Sequence, residues 1–300
     1  MSLQYLRVFR HIDEIARCGS IRKAAEALFL TPSALDRRLQ DLEAELGAPL
    51  FERHARGMRL TSAGEIFLLH VRAQRADFER VRAEIEQLKG LQRGSVSVVA
   101  SQALVHTVLP QVIQQFNGQH PGITFTVTVA DHAVVIQALR EFQADLGIVY
   151  HAPAAADILP LFSVDQALCT VMAADHPLAA LPRVSMADCL AYPAALPDRS
   201  LGGRIVLDQF FARSSLKPNV TMESNSFEML RNFVRGTTAV TFQIPLGAPL
   251  TAARDGVVAR PITDRKLERS TLVVAQLKGR PLPAPAARFA ESLREALVQP

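Results

Sequence analysis

Residues 19–64 read GSIRKAAEALFLTPSALDRRLQDLEAELGAPLFERHARGMRLTSAG, and their order of helix stops and starts decides the N-terminal fold. Gly19 followed by Ser20 ends one helix and caps the next. The helix predicted over Ile21 to Leu28 sets Ile21, Ala24, Ala25 and Leu28 on one side, and its alanines let a neighbouring helix come close. Thr31-Pro32 is an N-cap followed by the residue favoured at the first helical position, so a third helix starts there. It runs to about Leu46 and stops at Gly47, with Leu35, Leu39, Leu42 and Leu46 as its predicted buried stripe. At roughly 100° per residue, Ser33, Arg37 and Gln40 lie opposite that stripe and face outward.

Two helices joined by a tight turn, the second presenting polar and arginine side chains, form the arrangement that enters a DNA major groove. An ordinary solvated helix face is the alternative reading of the same periodicity. The next residues favour the first reading. Pro49-Leu50-Phe51 and Met58-Arg59-Leu60 are predicted as two short strands around a turn at His54 to Gly57, a wing carrying Arg53 and Arg56. A basic wing beside an arginine-bearing helix grips a duplex at two points.

Upstream, Leu3, Leu6, Phe9, Ile12 and Ile15 recur at helical spacing. Downstream, the chain runs without proline from Thr61 to Leu91, and Phe67, Val71, Phe78, Val81, Ile85 and Leu88 form an a/d seam with polar Gln74 at the open position. The seam predicts a dimerisation helix, the alternative being a helix lying on its own domain.

This N-terminal stretch, Leu3 to Gly64, closely resembles the winged helix-turn-helix of LysR-type transcriptional regulators. Gly19-Ser20, Ala24-Ala25, Leu42-Glu43, Leu46-Gly47, Leu50-Phe51-Glu52-Arg53 and Leu60-Thr61-Ala63-Gly64 all fall in register. The resemblance implies that Pro32, Ser33, Asp36 and Arg37 face bases, that Arg53 and Arg56 meet the backbone and minor groove, and that the long helix pairs two chains. Position 36 departs from the family, where a serine or other small polar residue is usual. An aspartate there is repelled by phosphates unless Arg37 or Arg38 pairs it, or a cytosine amino group meets it.

The 300 residues leave room for more than this module. The composition, 49% apolar and 21% charged, excludes disorder, and no stretch approaches the ~18 uncharged apolar residues of a membrane span. No export signal is legible at the N-terminus, which predicts a cytoplasmic protein. Net charge is +4, of which +3 falls before Gly94 (16 basic, 13 acidic residues), a small excess. The run RHARGMR, Arg53 to Arg59, holds three arginines and no acid. Three widely spaced cysteines, Cys18, Cys169 and Cys189, read as reduced thiols.

Beyond Gly94 strands alternate with helices. Strands are predicted at Ser95–Ala100, Ile123–Val129 and Leu146–Val149, with helices at Leu104–Phe116 and Val134–Phe142. A second set follows: Ala194–Leu196, helix Ile205–Phe211, Val220–Glu223, helix Phe227–Arg235 and Ala239–Phe242. The pattern predicts parallel α/β sheets in two lobes, joined near Leu159–Val164 and rejoined near Leu272–Leu277. The family resemblance, carried here by Asp145-Leu146-Gly147-Ile148 and Asp175-His176-Pro177-Leu178, implies a periplasmic-binding-protein-like effector domain. The expected fold is thus an all-α winged helix-turn-helix (1–61), a linker helix (62–92) and a two-lobed α/β effector domain (93–300). Lobe 1 is expected at about 93–162 and 270–300, lobe 2 at about 163–269.

Ligands of open α/β lobes bind beyond the carboxyl ends of the strands, beside helix N-termini. Those ends place Ser101, Gln102, His132, Arg199, Ser200, Asn225, Ser226 and Gln243 as candidate effector contacts. By resemblance, Ser101 and His132 occupy places that touch effectors. With Arg199 and Arg204 as nearby cations, and Leu104, Phe227 and Phe242 as apolar neighbours, the expected effector is a small carboxylate. No P-loop, GxGxxG, HExxH or GxSxG motif occurs, and the eight histidines are scattered. No catalytic residue, metal ligand or cofactor is predicted. The expected partners are double-stranded DNA, a small effector and a second copy of the chain, as dimer or tetramer. A ligand-independent architectural DNA binder and a small-molecule enzyme are the alternatives.

Overall fold

The caps read from the sequence hold the first helices in place. The computed structural model describes residues 3–54, 57–87, 93–105, 107–151, 155–248 and 256–298, and the chain divides into two units, Met1–Arg82 and Ala83–Pro300. The first contains α1 (Leu3–Cys18), α2 (Ile21–Ala27), α3 (Pro32–Leu46), β1 (Phe51–His54), β2 (Gly57–Leu60) and most of α4 (Ser62–Gln87). Ser20 Oγ accepts from Lys23 N–H and Thr31 Oγ1 from Ala34 N–H, while Gly47 takes a left-handed φ of 69° to end α3.

Ile12, Ile15, Ala24, Ala25, Leu35, Leu39, Leu42 and Leu50 form this unit's core. Leu46 is 44% exposed, against the predicted stripe, because it ends α3 beyond the surface that the core covers. The seam on α4 also divides. Val71 is buried, and the Phe67 ring packs edge-on to Phe9, whereas Phe78, Val81 and Ile85 are exposed. Asp13 of α1 holds the middle of α4 through Arg72 Nε (2.9 Å) and Arg75 Nη1 (2.5 Å). Leu88 and Arg56 lie outside the described residues.

The second unit runs β3 (Gly94–Ala100), α5 (Val108–Gln119), β4 (Ile123–Val129), α6 (His132–Arg140), β5 (Leu146–Tyr150), β6 (Ile158–Gln166), β7 (Cys169–Ala173), α7 (Met186–Leu190), β8 (Ala194–Pro197), α8 (Gly202–Ala212), β9 (Val220–Ser224), α9 (Phe227–Arg235), β10 (Thr241–Gln243), β11 (Val257–Pro261), β12 (Ser270–Leu277) and α10 (Ala284–Val298). One sheet has the order β4-β3-β5-β12-β6. It is mixed rather than wholly parallel: β3 pairs parallel with β4 and β5, but β12 runs antiparallel to β5 and β6. The chain leaves this sheet along β6 and returns along β12, so these two strands oppose each other. The other lobe combines β10-β7-β11 with the parallel pair β8-β9, linked where Ala195 N–H donates to Val240 O (2.8 Å).

Several boundaries differ from the sequence reading, and three of them bear on the cleft. Gln102–Leu104 form a 3₁₀ turn, so α5 begins at Val108 rather than Leu104. The helix α6 ends at Arg140, and Phe142 takes a φ of 56° after it. The helix α8 begins at Gly202, where a Cβ would sit 2.1 Å from Tyr150 O; only glycine permits that approach.

Candidate nucleic-acid interface and ligand cleft

The first two turns of α3 present Pro32, Ser33 and Arg37 exposed to solvent, with Thr31 Oγ1 and Ser33 Oγ 3.3 Å apart. Glu43 fixes the wing to this helix. Its Oε1 accepts from Leu50 N–H (2.6 Å) and Phe51 N–H (3.2 Å), so a carboxylate on the inner side of α3 sets where β1 begins. At the far end of the hairpin Met58 N–H donates to Gly19 O (2.8 Å), and a Cβ on Gly57 would lie 2.3 Å from that oxygen. The wing is therefore held against both α3 and the α1–α2 turn.

Asp36 carries three of the sequence-predicted contacts into one cluster. Its Oδ1 receives the Arg53 guanidinium from the wing, and its Oδ2 receives Gln40 Nε2 at 3.2 Å. The partner is neither Arg37 nor Arg38. Arg38 Nη1 stands 3.2 Å from His11 Nε2, and Arg37 has no ion-pair partner among the described residues. Since a guanidinium only donates, His11 Nε2 accepts and the proton sits on Nδ1. Burial, then Arg38 and Arg10, holds the His11 pKa below the usual histidine value.

In the second unit a cavity of about 20 Å³, room for one water, lies where the strand ends meet. Ser101, His132, Ser200 and Gln243 line it, joined by Tyr150, Phe227 and the Gly202-Gly203 start of α8. Ser101 Oγ and Gln243 Nε2 are buried with no hydrogen-bond partner among the described residues. Gln102 instead bridges the lobes: its Nε2 donates to Asn225 O (2.6 Å) and its Oε1 accepts from Phe227 N–H (3.0 Å). His132 Nδ1 donates to Ser200 O (3.0 Å). Ser226 Oγ caps α9, Asn225 offers its carbonyl to Gln102, and Arg199 is 83% exposed near Asp208; none of the three lines the cavity.

Arg204, expected as a nearby cation, is only 10% exposed and is neutralised by Asp208 (2.7 Å) and Glu223 (2.9 Å) while donating to Pro197 O (3.0 Å). Among the described residues no Asp, Glu, Lys or Arg side chain lines the cavity. Sequence reasoning missed Glu43 as the wing tether and Gln102 as a bridge, because both act on backbone groups remote in sequence. Burial pushes the thiols of Cys169 and Cys189 up to about 12, so both stay protonated near neutrality. Among the described residues no cluster of His, Cys, Asp and Glu is placed to hold a metal ion, and no helix is long and apolar enough to cross a membrane.

Known proteins share both units. Residues 5–65 match the model of the bacterial regulatory helix-turn-helix protein, lysR family, and residues 89–298 match that of the LysR substrate binding domain. The HTH-type transcriptional activator CmpR of Synechocystis sp. is 27% identical over 236 residues, 79% of this chain and 77% of its own. Full-length CbnR, solved in complex with its target DNA, superposes with a TM-score of 0.68 at 19% identity, covering 97% of this chain and 99% of CbnR. The effector binding domain of QuiR, solved with shikimate, gives a TM-score of 0.56 at 21% identity over 69% of this chain and 96% of that domain. With a wing-bearing helix-turn-helix in its first unit and a two-lobed α/β domain in its second, each matching its LysR model, this chain belongs to the LysR family of DNA-binding transcriptional regulators.

Proposed function

We propose that the chain reads operator DNA with Pro32, Ser33, Arg37 and Gln40 of α3, while Arg53 and Arg56 of the wing meet the backbone. A small carboxylate entering the cleft alters that binding. The observation that carries the reading is Arg37, an exposed cation without an ion-pair partner among the described residues on the outward side of α3. For the effector, support comes from donors that lack partners among the described residues: Ser101 Oγ and Gln243 Nε2, beside the start of α8, whose N-cap Leu201 supplies no side-chain bond. Neutral donors at a helix N-terminus suit an anion without a counter-cation. QuiR, whose bound shikimate is a carboxylate, has the same fold in this region.

The exposed Phe78, Val81 and Ile85 of α4 support pairing with a second copy, as dimer or tetramer. We assign residues 1–61, 62–92 and 93–300 to DNA binding, linkage and effector binding, with lobes at about 93–162 plus 270–300 and 163–269. The protein is read as a cytoplasmic sensor and not an enzyme. Footprinting on DNA adjoining its own gene, with and without a panel of carboxylates, tests the reading. A protected site whose pattern shifts with one carboxylate supports it. No protected site, or calorimetric binding of cations or neutral sugars only, or unchanged binding by Ser101→Ala, counts against it.

A further inference from the structure

The cluster around Asp36 joins residues that the sequence assigns to separate tasks. Asp36 sits on the outward part of α3, 28% exposed, and Arg53 on the wing is 58% exposed. Gln40, one turn along α3, donates to the second carboxylate oxygen. In the free protein one wing arginine is thus already neutralised by a carboxylate that faces the same way as the groove-reading side chains. We propose that Asp36 is a specificity-determining residue: it withholds Arg53 from phosphates on non-cognate DNA and orients Arg53 and Gln40 for the cognate site.

The physical basis is that sequence-independent affinity comes from cations that displace condensed counterions from phosphates. An internal carboxylate subtracts from that affinity twice, by occupying one cation and by adding a negative charge facing the backbone. Base reading depends on geometry rather than on summed charge, so the same carboxylate, by fixing the Gln40 amide for a base and holding the Arg53 guanidinium where one backbone register meets it, costs the cognate complex less. The device belongs to this chain, because the aspartate stands where a small polar side chain would leave Arg53 free. It rests on the reading that α3 and the wing face duplex DNA.

Asp36→Asn tests it, since the amide keeps the shape and an acceptor but loses the charge. The probes are a random-sequence duplex and the footprinted operator, titrated with the full chain from about 0.05 to 0.3 M salt. Releasing one further counterion steepens the random-duplex salt slope by roughly 0.9, which is about an eightfold gain at 0.1 M. Operator affinity rises less, so the operator-to-random ratio falls. In an Arg53→Ala background Asp36→Asn moves the slope by much less, since only the loss of the carboxylate's own charge remains. The proposal is overturned if random-duplex affinity and slope do not move, or if Asp36→Asn loses discrimination at a single cytosine, which would make Asp36 a base reader. Arg37→Ala separates the two levels: if it weakens operator binding, the DNA-facing reading stands whatever Asp36→Asn does.

Discussion

Replacing Glu43 by alanine should unseat the wing while leaving every outward side chain of α3 in place. Its Oε1 is the acceptor for Leu50 and Phe51 N–H, and those residues are 1% and 6% exposed. Removing a charged acceptor strands two backbone donors in surroundings that water reaches poorly, at about 1–3 kcal/mol each. Some relaxation of the hairpin brings the sum to about 2–4 kcal/mol. For a domain of this size each kcal/mol lowers the midpoint by roughly 4–8 °C, so the expected shift in the N-terminal unit is about 8–32 °C. Glu43→Gln keeps an oxygen at the same place and should lose only the charge-assisted part, about half as much.

Calorimetry of the full chain, with hydrogen exchange on peptides from α1, α3 and α10, assigns the affected transition. Protection should fall in α1 and α3 and hold in α10. Operator affinity measured below the transition should drop for Glu43→Ala although Arg37 and Ser33 are untouched. A shift under about 4 °C, or equal losses for the alanine and glutamine variants, refutes the reasoning, since either result means the two amides find other partners.

Three further outcomes are expected. His11, held below its usual pKa of 6.5, binds fewer protons folded than unfolded, so its contribution to stability is complete above the unfolded value and is lost as pH falls through 6.5 toward the folded one. The N-terminal transition should therefore drop between about pH 7.5 and 5.5, and drop less in His11→Gln; parallel pH profiles would exclude His11 as the cause. Val81→Asp should dissociate the oligomer in sedimentation velocity without unfolding it, whereas Val71→Asp, at a buried position, should unfold the helix-turn-helix; a wild-type oligomer in Val81→Asp would remove α4 from the interface. Phe29, 95% exposed at a φ of 55° before α3, should accept glycine with a gain of about 1 kcal/mol, read as a higher melting temperature.

What the sequence made legible was local. Thr31-Pro32, Gly47 and the alanine pair act on neighbours within one turn, and residue order alone reveals them. The wing tether was hidden because Glu43 and Leu50 meet only after the hairpin folds back, and the Asp36–Arg53 pair because 17 residues separate its members. The strand β7, CTVMA, is buried at all five positions, so it shows no alternation to mark it, and it went unread with β11, α7 and α10. Arginine was the least legible residue type. On paper Arg204 was a cation for the effector; in the fold Asp208 and Glu223 consume it, as Asp145 consumes Arg280.

The same bonds that close the cleft set the scale on which an effector can act. Gln102 contributes two bonds across the lobes, to Asn225 O and from Phe227 N–H, His132 contributes one to Ser200 O, and Thr107 Oγ1 donates one to Leu246 O. At about 1 kcal/mol net for each, these four favour the closed arrangement by roughly 4 kcal/mol. The closed cavity, about 20 Å³, holds one water and cannot hold a metabolite carboxylate. An effector of that class therefore enters only as the lobes part, and the bonds nearest Ser101, those of Gln102, are first in its way. A ligand shifts such an equilibrium only by its preference for the parted state. To bring that state level with the closed one it must favour it by about a thousandfold, and to make it dominant by about ten-thousandfold, since each 1.4 kcal/mol is a factor of ten. Ser101 and Gln243, whose polar atoms lack partners among the described residues in the closed state, are the groups whose bonds to a ligand would be gained without loss of an existing one.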